Sequence, residues 1–462
     1  MNKEKKARKG GRVLLSIGCV LLVLLLAANV AANYFSRLLD VYVGLGEATI
    51  TTKEGAENWD TEYYTLDSKT AEEADKVAKD VTRRIAEEGI VLMKNENGAL
   101  PMAAGAVSLM GRRSVETVFG GTGSGAGDEG QCTTLTDALT QAGFRVNPTL
   151  TELYKNNLDK VPVAKTTMDK AADMTYYIGE FPQSWYTDDV TASHKSYGDA
   201  AILVFGRQGG EGMDFCTDLK GALDAGVTAM QTSVAETANY EPGQHQLELS
   251  REERELLAHA EANFDKVIVV INSANVMEIG ALRDDPQVDA ILWMAYPGSR
   301  GTVALANILK GDVNPSGHTV DTWVVDMTAD PTFPNTSAVQ YLNVSKSNAL
   351  GDSYVVEYEE GIYFGYRYYE TVSADGGSFT VEGESGKSYE DAVAYPFGYG
   401  LSYTTFEQSI KDAKADKKVK AAKNKPAATK GVKVAKQKSA KTEKSSGSSN
   451  SGARVSVRRQ RH

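Results

Sequence analysis

Cysteine is nearly absent from this chain: three residues in 462, Cys19, Cys132 and Cys216, at no spacing that a metal-ligand set uses. That excludes a disulfide framework and the zinc and haem signatures. At most one bridge is left, Cys132–Cys216, and nothing in the sequence requires it. Histidine is scarce too, five in all; His245 and His318 stand alone and neither is assigned a role. Residues 411–462 are rich in Lys and Arg but contain no aromatic side chain. A basic segment with no ring to stack on bases does not read as a nucleic-acid binder. Positive charge is what the rest of the chain lacks. The net charge of -11 combines +5 in residues 1–12 and +14 in residues 411–462, which leaves -30 on the body between them. Such a body repels nucleic acid and anionic membrane surfaces, so its partner is neutral or cationic.

What is present begins with Val13 to Ala32, an uncharged apolar run long enough to span a bilayer as a helix. The basic residues ahead of it stay in the cytoplasm, which places the body outside the cell as a single-pass membrane protein. A cleaved signal peptide is the competing reading, with Val30-Ala31-Ala32 as a small-residue cleavage site. The length of the run favours an uncleaved anchor.

Beyond a polar stalk, 33–69, helical and strand-like segments alternate. Ala74, Val77, Ala78, Val81 and Ile85 share one helical face, with Gly89 placed to stop the helix. Ile90–Met93, Ala106–Met110, Phe144–Val146, Ala200–Phe205, Lys266–Ile271 and Val288–Met294 read as strands. Leu135–Ala142, Arg251–Asn263 and Arg300–Lys310 read as helices, the second opened by a Ser250/Glu253 capping box. Near-continuous apolar strands separated by helices predict an α/β fold, a mostly parallel sheet sandwiched between helices. Tyr354–Tyr369 and Tyr389–Phe406, rich in Tyr, Phe and Gly, read as extended segments contacting a sheet edge. The composition of 411–462 predicts a disordered tail.

The stretch that organises the rest is the strand Ala200–Phe205, which runs into Gly206-Arg-Gln-Gly-Gly-Glu-Gly-Met-Asp214. Ligands bind at the carboxyl ends of strands in open parallel sheets. Glu211, flanked by glycines that let backbone approach a ligand, is placed to act as a general acid if apolar walls raise its pKa. The plainer reading is a solvated acidic turn.

Read together, several segments resemble the C-terminal-type α/β sandwich domain of glycoside hydrolase family 3, the β-glucosidase-like enzymes. They are Glu88-Gly-Ile-Val-Leu-Met-Lys-Asn95, Gly120-Gly-Thr-Gly-Ser-Gly125, Gly210-Glu-Gly-Met-Asp214 and Tyr296-Pro-Gly-Ser-Arg-Gly301. Gly311-Asp-Val-Asn-Pro-Ser-Gly317, Glu360-Gly-Ile-Tyr-Phe-Gly-Tyr-Arg367 and Phe397-Gly-Tyr-Gly-Leu-Ser-Tyr-Thr404 follow in the family's order. The resemblance implies that Glu211 is the catalytic acid/base. It makes Gly121, Gly123, Ser124, Gly210 and Asp214 walls of a carbohydrate site that needs neither cofactor nor metal. Asp214 as a simple turn cap is the alternative for that residue. The family's nucleophile, an Asp on a (β/α)8 barrel, has no counterpart here: there is no Ser-Asp-Trp segment and no Lys-His pair. The resemblance therefore implies a truncated or split member, its nucleophile supplied by a separate barrel domain or chain.

The domain reading is a basic cytoplasmic segment 1–12, an anchor 13–32, the stalk 33–69, a sandwich domain 70–330, a Tyr/Gly-rich extension 331–410 and the tail 411–462. Gly125-Ala-Gly127-Asp-Glu-Gly130 matches the dinucleotide fingerprint by letter, but that motif needs a helix opening from its last glycine, and two acids would face the pyrophosphate. Trp185, Trp293 and Trp323 can stack on sugar rings, although Trp293 sits in a strand pattern and reads as core. Two functions stay open: a membrane-anchored β-glucosidase-type hydrolase of glucosides or xylosides, and a catalytically silent glycan- or partner-binding module at the cell surface.

Overall fold

A computed structural model describes residues 2–36, 54–55, 67–161, 163, 177–210, 216–224, 240–336, 339–340, 354–355 and 358–405. It divides into two compact units, Met1–Lys69 and Thr70–His462. In the first, helix Asn2–Tyr34 contains one apolar segment, Leu14–Tyr34, of mean hydropathy 2.6. It is long and apolar enough for a membrane span, and its place at the N-terminus suits a signal sequence equally well. Most of the predicted stalk and the whole predicted disordered tail lie outside the described residues.

The second unit is built on six strands: β1 (Val91–Asn95), β2 (Ala106–Met110), β3 (Arg145–Val146), β4 (Ala200–Arg207), β5 (Val267–Ser273) and β6 (Ala290–Trp293). Their order in the sheet is β1-β6-β5-β4-β2-β3. Every pair is parallel except β1 with β6, so the sheet is mixed at one edge and otherwise as expected. The alternation of side chains along each strand sorts the core into two layers. Ala201, Leu203, Phe205, Val267, Val269 and Ile271 face one side, where they pack against Leu150 and Tyr154 of helix Pro148–Lys155 and Leu256 and Ala260 of helix Arg251–Asn263. Ala200, Ile202, Val204, Ile268 and Val270 face the other, against Leu135 and Leu139 of helix Leu135–Gln141 and Ala304, Leu305 and Ile308 of helix Gly301–Lys310. A sheet covered on both faces is why β4 and β5 are apolar throughout instead of alternating.

Three expectations are revised. Helix Ala71–Gly89 forms, capped by Thr70, but the Val77, Val81 and Ile85 stripe is exposed. It packs by its small side instead, where Ala86 would lie 3.3 Å from a β-carbon on Gly301, and Asn307 donates to the buried Glu87 at 2.9 Å. Of the segment Tyr354–Tyr369 expected to be extended, Tyr354–Val355 is a strand, but its end opens the helix Tyr366–Ala374. The later segment does meet the sheet edge: Leu401 N–H donates to Leu92 O of β1 at 2.8 Å. Trp323 is fully buried edge-on to Trp293, centroids 5.3 Å apart, so neither ring is available to a sugar, and Trp185 packs on Phe181.

Candidate functional site

The chain passes from β2 out to β3 and returns to the opposite flank of β2 as β4, so the winding direction reverses between β2 and β4. A crevice at the carboxyl ends of strands is expected at such a reversal. In register, Met110 closes β2 beside Leu203, whereas β4 continues to Arg207. Over that step lies a cleft of about 530 Å³, lined by residues from Phe119 to Cys132 after β2, Gln208 after β4, and Gly298 and Ser299 after β6.

Polar residues at the strand ends hold these loops. Asn272, fully buried near the end of β5, donates through Nδ2 to Val118 O at 3.0 Å and Ala295 O at 2.7 Å. It accepts from Val118 N–H through Oδ1 at 2.8 Å. Gly298 N–H donates to Phe119 O, Thr133 N–H to Ser299 O, and Thr302 Oγ1 to Thr133 O, so the glycine loop is tied down at both ends. Between the ties it runs as two short 3-10 turns, Gly123–Gly125 and Glu129–Gln131. The next α-helix begins only at Leu135, so the structural context of a dinucleotide fingerprint is missing.

The loop after β4 is fixed as firmly. Arg207 pairs bidentately with Glu253 at 2.7 Å for each nitrogen–oxygen contact, both side chains buried. The same Glu253 is the reciprocal partner of Ser250 in the predicted capping box. The Tyr296 hydroxyl accepts from Gly209 N–H at 2.7 Å and donates to Arg207 O at 3.1 Å. At Gly210 the two loops touch: a β-carbon there would lie 2.3 Å from Thr122 N, and φ is +156. Only glycine fits that approach. Gly121 and Gly123 line the cleft, Gly210 backs onto it through Thr122, and Ser124 sits on the exposed first turn, outside the lining. Glu211 and Asp214 lie outside the described residues, beginning immediately after Gly210.

Asp128 and Glu129 are the charged groups of the lining. Burial raises the Cys132 thiol above its ordinary range, and the charges of Glu129 and Asp128 raise it further while Arg300 opposes them. Cys132 and Cys216 are both unbridged.

Sequence reasoning did not single out Asn272, Tyr296 or Arg207 as loop anchors. The available signal was a polar residue closing an apolar run, as Asn272 closes Val267–Ile271 and Arg207 closes Ala200–Gly206. His245 proves to be a buried hub: its Nδ1 accepts from Leu247 N–H at 3.1 Å, so Nε2 carries the proton and donates to Glu278 at 2.9 Å. Glu248 completes a trio with ion-ligating chemistry, but a cation on Nε2 would have to displace that proton.

Comparison with known proteins agrees with this geometry. Residues 90–366 match the glycosyl hydrolase family 3 C-terminal domain. The chain is similar to β-glucosidase A of Butyrivibrio fibrisolvens, 28% identical over 79% of this chain and 40% of that protein. It is also similar to a β-glucosidase of Ruminococcus albus, 28% identical over 71% of this chain and 28% of that one. Among solved structures it superposes on a β-glucosidase from Paenibacillus barengoltzii (TM-score 0.51, 29% identity, 71% of this chain, 30% of that one). β-Glucosidase 3B from Thermotoga neapolitana in complex with α-D-glucose fits equally well (TM-score 0.51, 27% identity, 73% and 39%). The chain thus spans less than half the length of these relatives.

Proposed function

This chain belongs to glycosyl hydrolase family 3, and from that premise we propose that it carries the acid/base half of a β-glucosidase-type glycoside hydrolase. In this reading Glu211 protonates the glycosidic oxygen as the anomeric C–O bond breaks. A carboxylate nucleophile takes the sugar as a covalent intermediate, and Glu211 then removes a proton from the water that releases it, with retention. The nucleophile comes from outside these 462 residues, on a barrel that meets the cleft. Gly121, Gly123, Ser124, Gly210 and Asp214 shape the sugar site. The N-terminal helix holds the body on the extracytoplasmic side of a membrane. The observation that carries the proposal is the doubly anchored loop Gln208–Gly210, locked against Thr122 beside the cleft, which Glu211 follows in sequence. With two carboxylates and no cationic side chain lining the cleft among the described residues, β-linked glucosides or xylosides suit it and uronides do not.

The test is an aryl β-glucoside assay on the full chain, alone and mixed with a barrel-bearing family 3 protein whose own acid/base has been removed. We expect little turnover alone and complementation that disappears in Glu211→Gln. Robust turnover by the chain alone, abolished by Glu211→Gln, would place the nucleophile within it. Glycoside binding with no complementation would favour the second reading, a catalytically silent glycan-binding module, which the lack of a Ser-Asp-Trp nucleophile segment supports.

A further inference from the structure

Among the described residues, Gln208 alone lines the cleft from the strand that leads to Glu211. The direction of its side chain follows from the strand. β4 ends at Arg207, which turns into the layer of helix Arg251–Asn263 to meet Glu253. Side chains alternate along extended chain, so the next residue turns toward the opposite layer. That layer holds helices Leu135–Gln141 and Gly301–Lys310, and the segments leading into them, Phe119–Cys132 and Gly298–Ser299, form the other walls of the cleft. The backbone cannot carry Gln208 away. The Tyr296 hydroxyl brackets it, accepting from Gly209 N–H at 2.7 Å and donating to Arg207 O at 3.1 Å. Gln208 is half-buried, its carboxamide makes no hydrogen bond among the described residues, and both polar atoms of that group remain accessible.

A rigidly mounted, accessible and unengaged amide in a cleft wall is a group left for a ligand. The charged groups of the lining, Asp128 and Glu129, can only accept hydrogen bonds when ionised, and Asp128 Oδ1 already accepts from Gly130 N–H at 2.9 Å. Gln208 does both: Oε1 accepts, Nε2 donates, and neither changes with pH. A ligand carboxylate would use only Nε2, and an ammonium only Oε1. Two neighbouring sugar hydroxyls, one donating and one accepting, use both at once. We propose that Gln208 is a specificity-determining residue of the glycoside site, its carboxamide reading two neighbouring hydroxyls and so fixing which way round the ring lies beside the loop that leads to Glu211. The assignment rests on the cleft being the sugar site.

Saturation-transfer NMR titrations on the full chain in nanodiscs test it, using methyl β-D-glucopyranoside and its 2-, 3-, 4- and 6-deoxy analogues. The proteins compared are the wild type, Gln208→Leu and Gln208→Glu. Neither substitution breaks a hydrogen bond among the described residues, so both variants should melt with the wild type. The expected result is about a tenfold or greater loss of affinity for the parent glycoside in Gln208→Leu, a loss that disappears for the two analogues lacking neighbouring hydroxyls. Gln208→Glu, which accepts but cannot donate, should stay sensitive to deoxygenation at one of those two positions only. Wild-type affinity in Gln208→Leu overturns the proposal. So does a loss by the same factor for the parent and every analogue, which is what a packing role would give. If the wild type binds none of these glycosides, the reading of the cleft as a sugar site fails, and this assignment falls with it.

Discussion

Glu180 is a buried carboxyl whose role can be read from the pH dependence of stability. It is 5% exposed and accepts from Arg112 N–H at 2.9 Å through Oε2 and from Phe181 N–H at 2.8 Å through Oε1. Burial raises its pKa from 4.5 to about 7, those two N–H bonds oppose the rise, and the nearby Glu253 charge adds to it. A folded-state pKa above the unfolded one means that ionisation works against the fold: the protein is unburdened below pH 4.5 and progressively destabilised as pH rises through 7. The cost approaches about 3 kcal/mol by pH 8 and is under about 1 kcal/mol at pH 5. Glu180→Gln removes the charge but puts an NH2 group where one N–H must be accepted, a loss of about 1 kcal/mol. The two effects cross. The variant should be less stable than wild type by about 0–1 kcal/mol at pH 5 and more stable by about 2 kcal/mol at pH 8. Urea denaturation of both proteins at pH 5, 6.5 and 8 measures this directly. A stability difference that keeps one sign and size across that range would show that Glu180 is not desolvated as the packing of Tyr154 and Phe181 around it implies.

Two further outcomes follow from the anchors of the cleft, and a third from the buried His194–His259 contact away from it. Arg207→Met leaves Glu253 buried with its ion-pair partner gone and should cost about 3–5 kcal/mol in urea unfolding; a loss below about 1 kcal/mol would mean the pair is solvated. Gly210→Ala drives a methyl into Thr122 N at a backbone angle that side chains avoid. It should cost about 1–3 kcal/mol and weaken glycoside binding, and a neutral result by calorimetry and melting would refute the close approach of the two loops. Burial and the adjacent His259 lower the His194 pKa from 6.5 to about 4. A folded pKa below the unfolded one gives stability that is intact above pH 6.5 and drains as pH falls from 6.5 toward 4, so His194→Gln should flatten the melting profile in that window; unchanged acid sensitivity would rule out this histidine pair as its source.

The sheet was legible because burial on both faces removes the need for polar alternation: the expected strands Lys266–Ile271 and Ala200–Phe205 contain uninterrupted apolar runs from Val267 and from Ala200, and both became central strands. The Ser250/Glu253 capping box was legible because it is local, two side chains three residues apart exchanging bonds with their own backbone. What spacing could not show was that Glu253 also serves Arg207, since that contact joins residues 46 positions apart. Nor could it give the orientation of helix Ala71–Gly89. Its Val77–Val81–Ile85 stripe is the most apolar face of that helix, yet close approach to Gly301 favours the small side chains on the other side. Glycine spacing carried the family resemblance without its cause, which at Gly210 includes the close approach of another loop's backbone amide.

The same contrast bears on where specificity is built. The cleft's walls come from glycine loops, yet their positions are set by three side chains that never enter it: Asn272, Tyr296 and Arg207, the last held by its ion pair with Glu253. Each is rooted at the carboxyl end of a fully buried strand or in the segment following one, so loop position inherits the rigidity of the sheet. Loops held that way can exchange residues at their tips, as at Asp128 and Glu129, without moving the turn that leads to Glu211. On the proposed function, substitutions at those tips should therefore change which glycoside is accepted, whereas substitutions at the anchors should change whether any is.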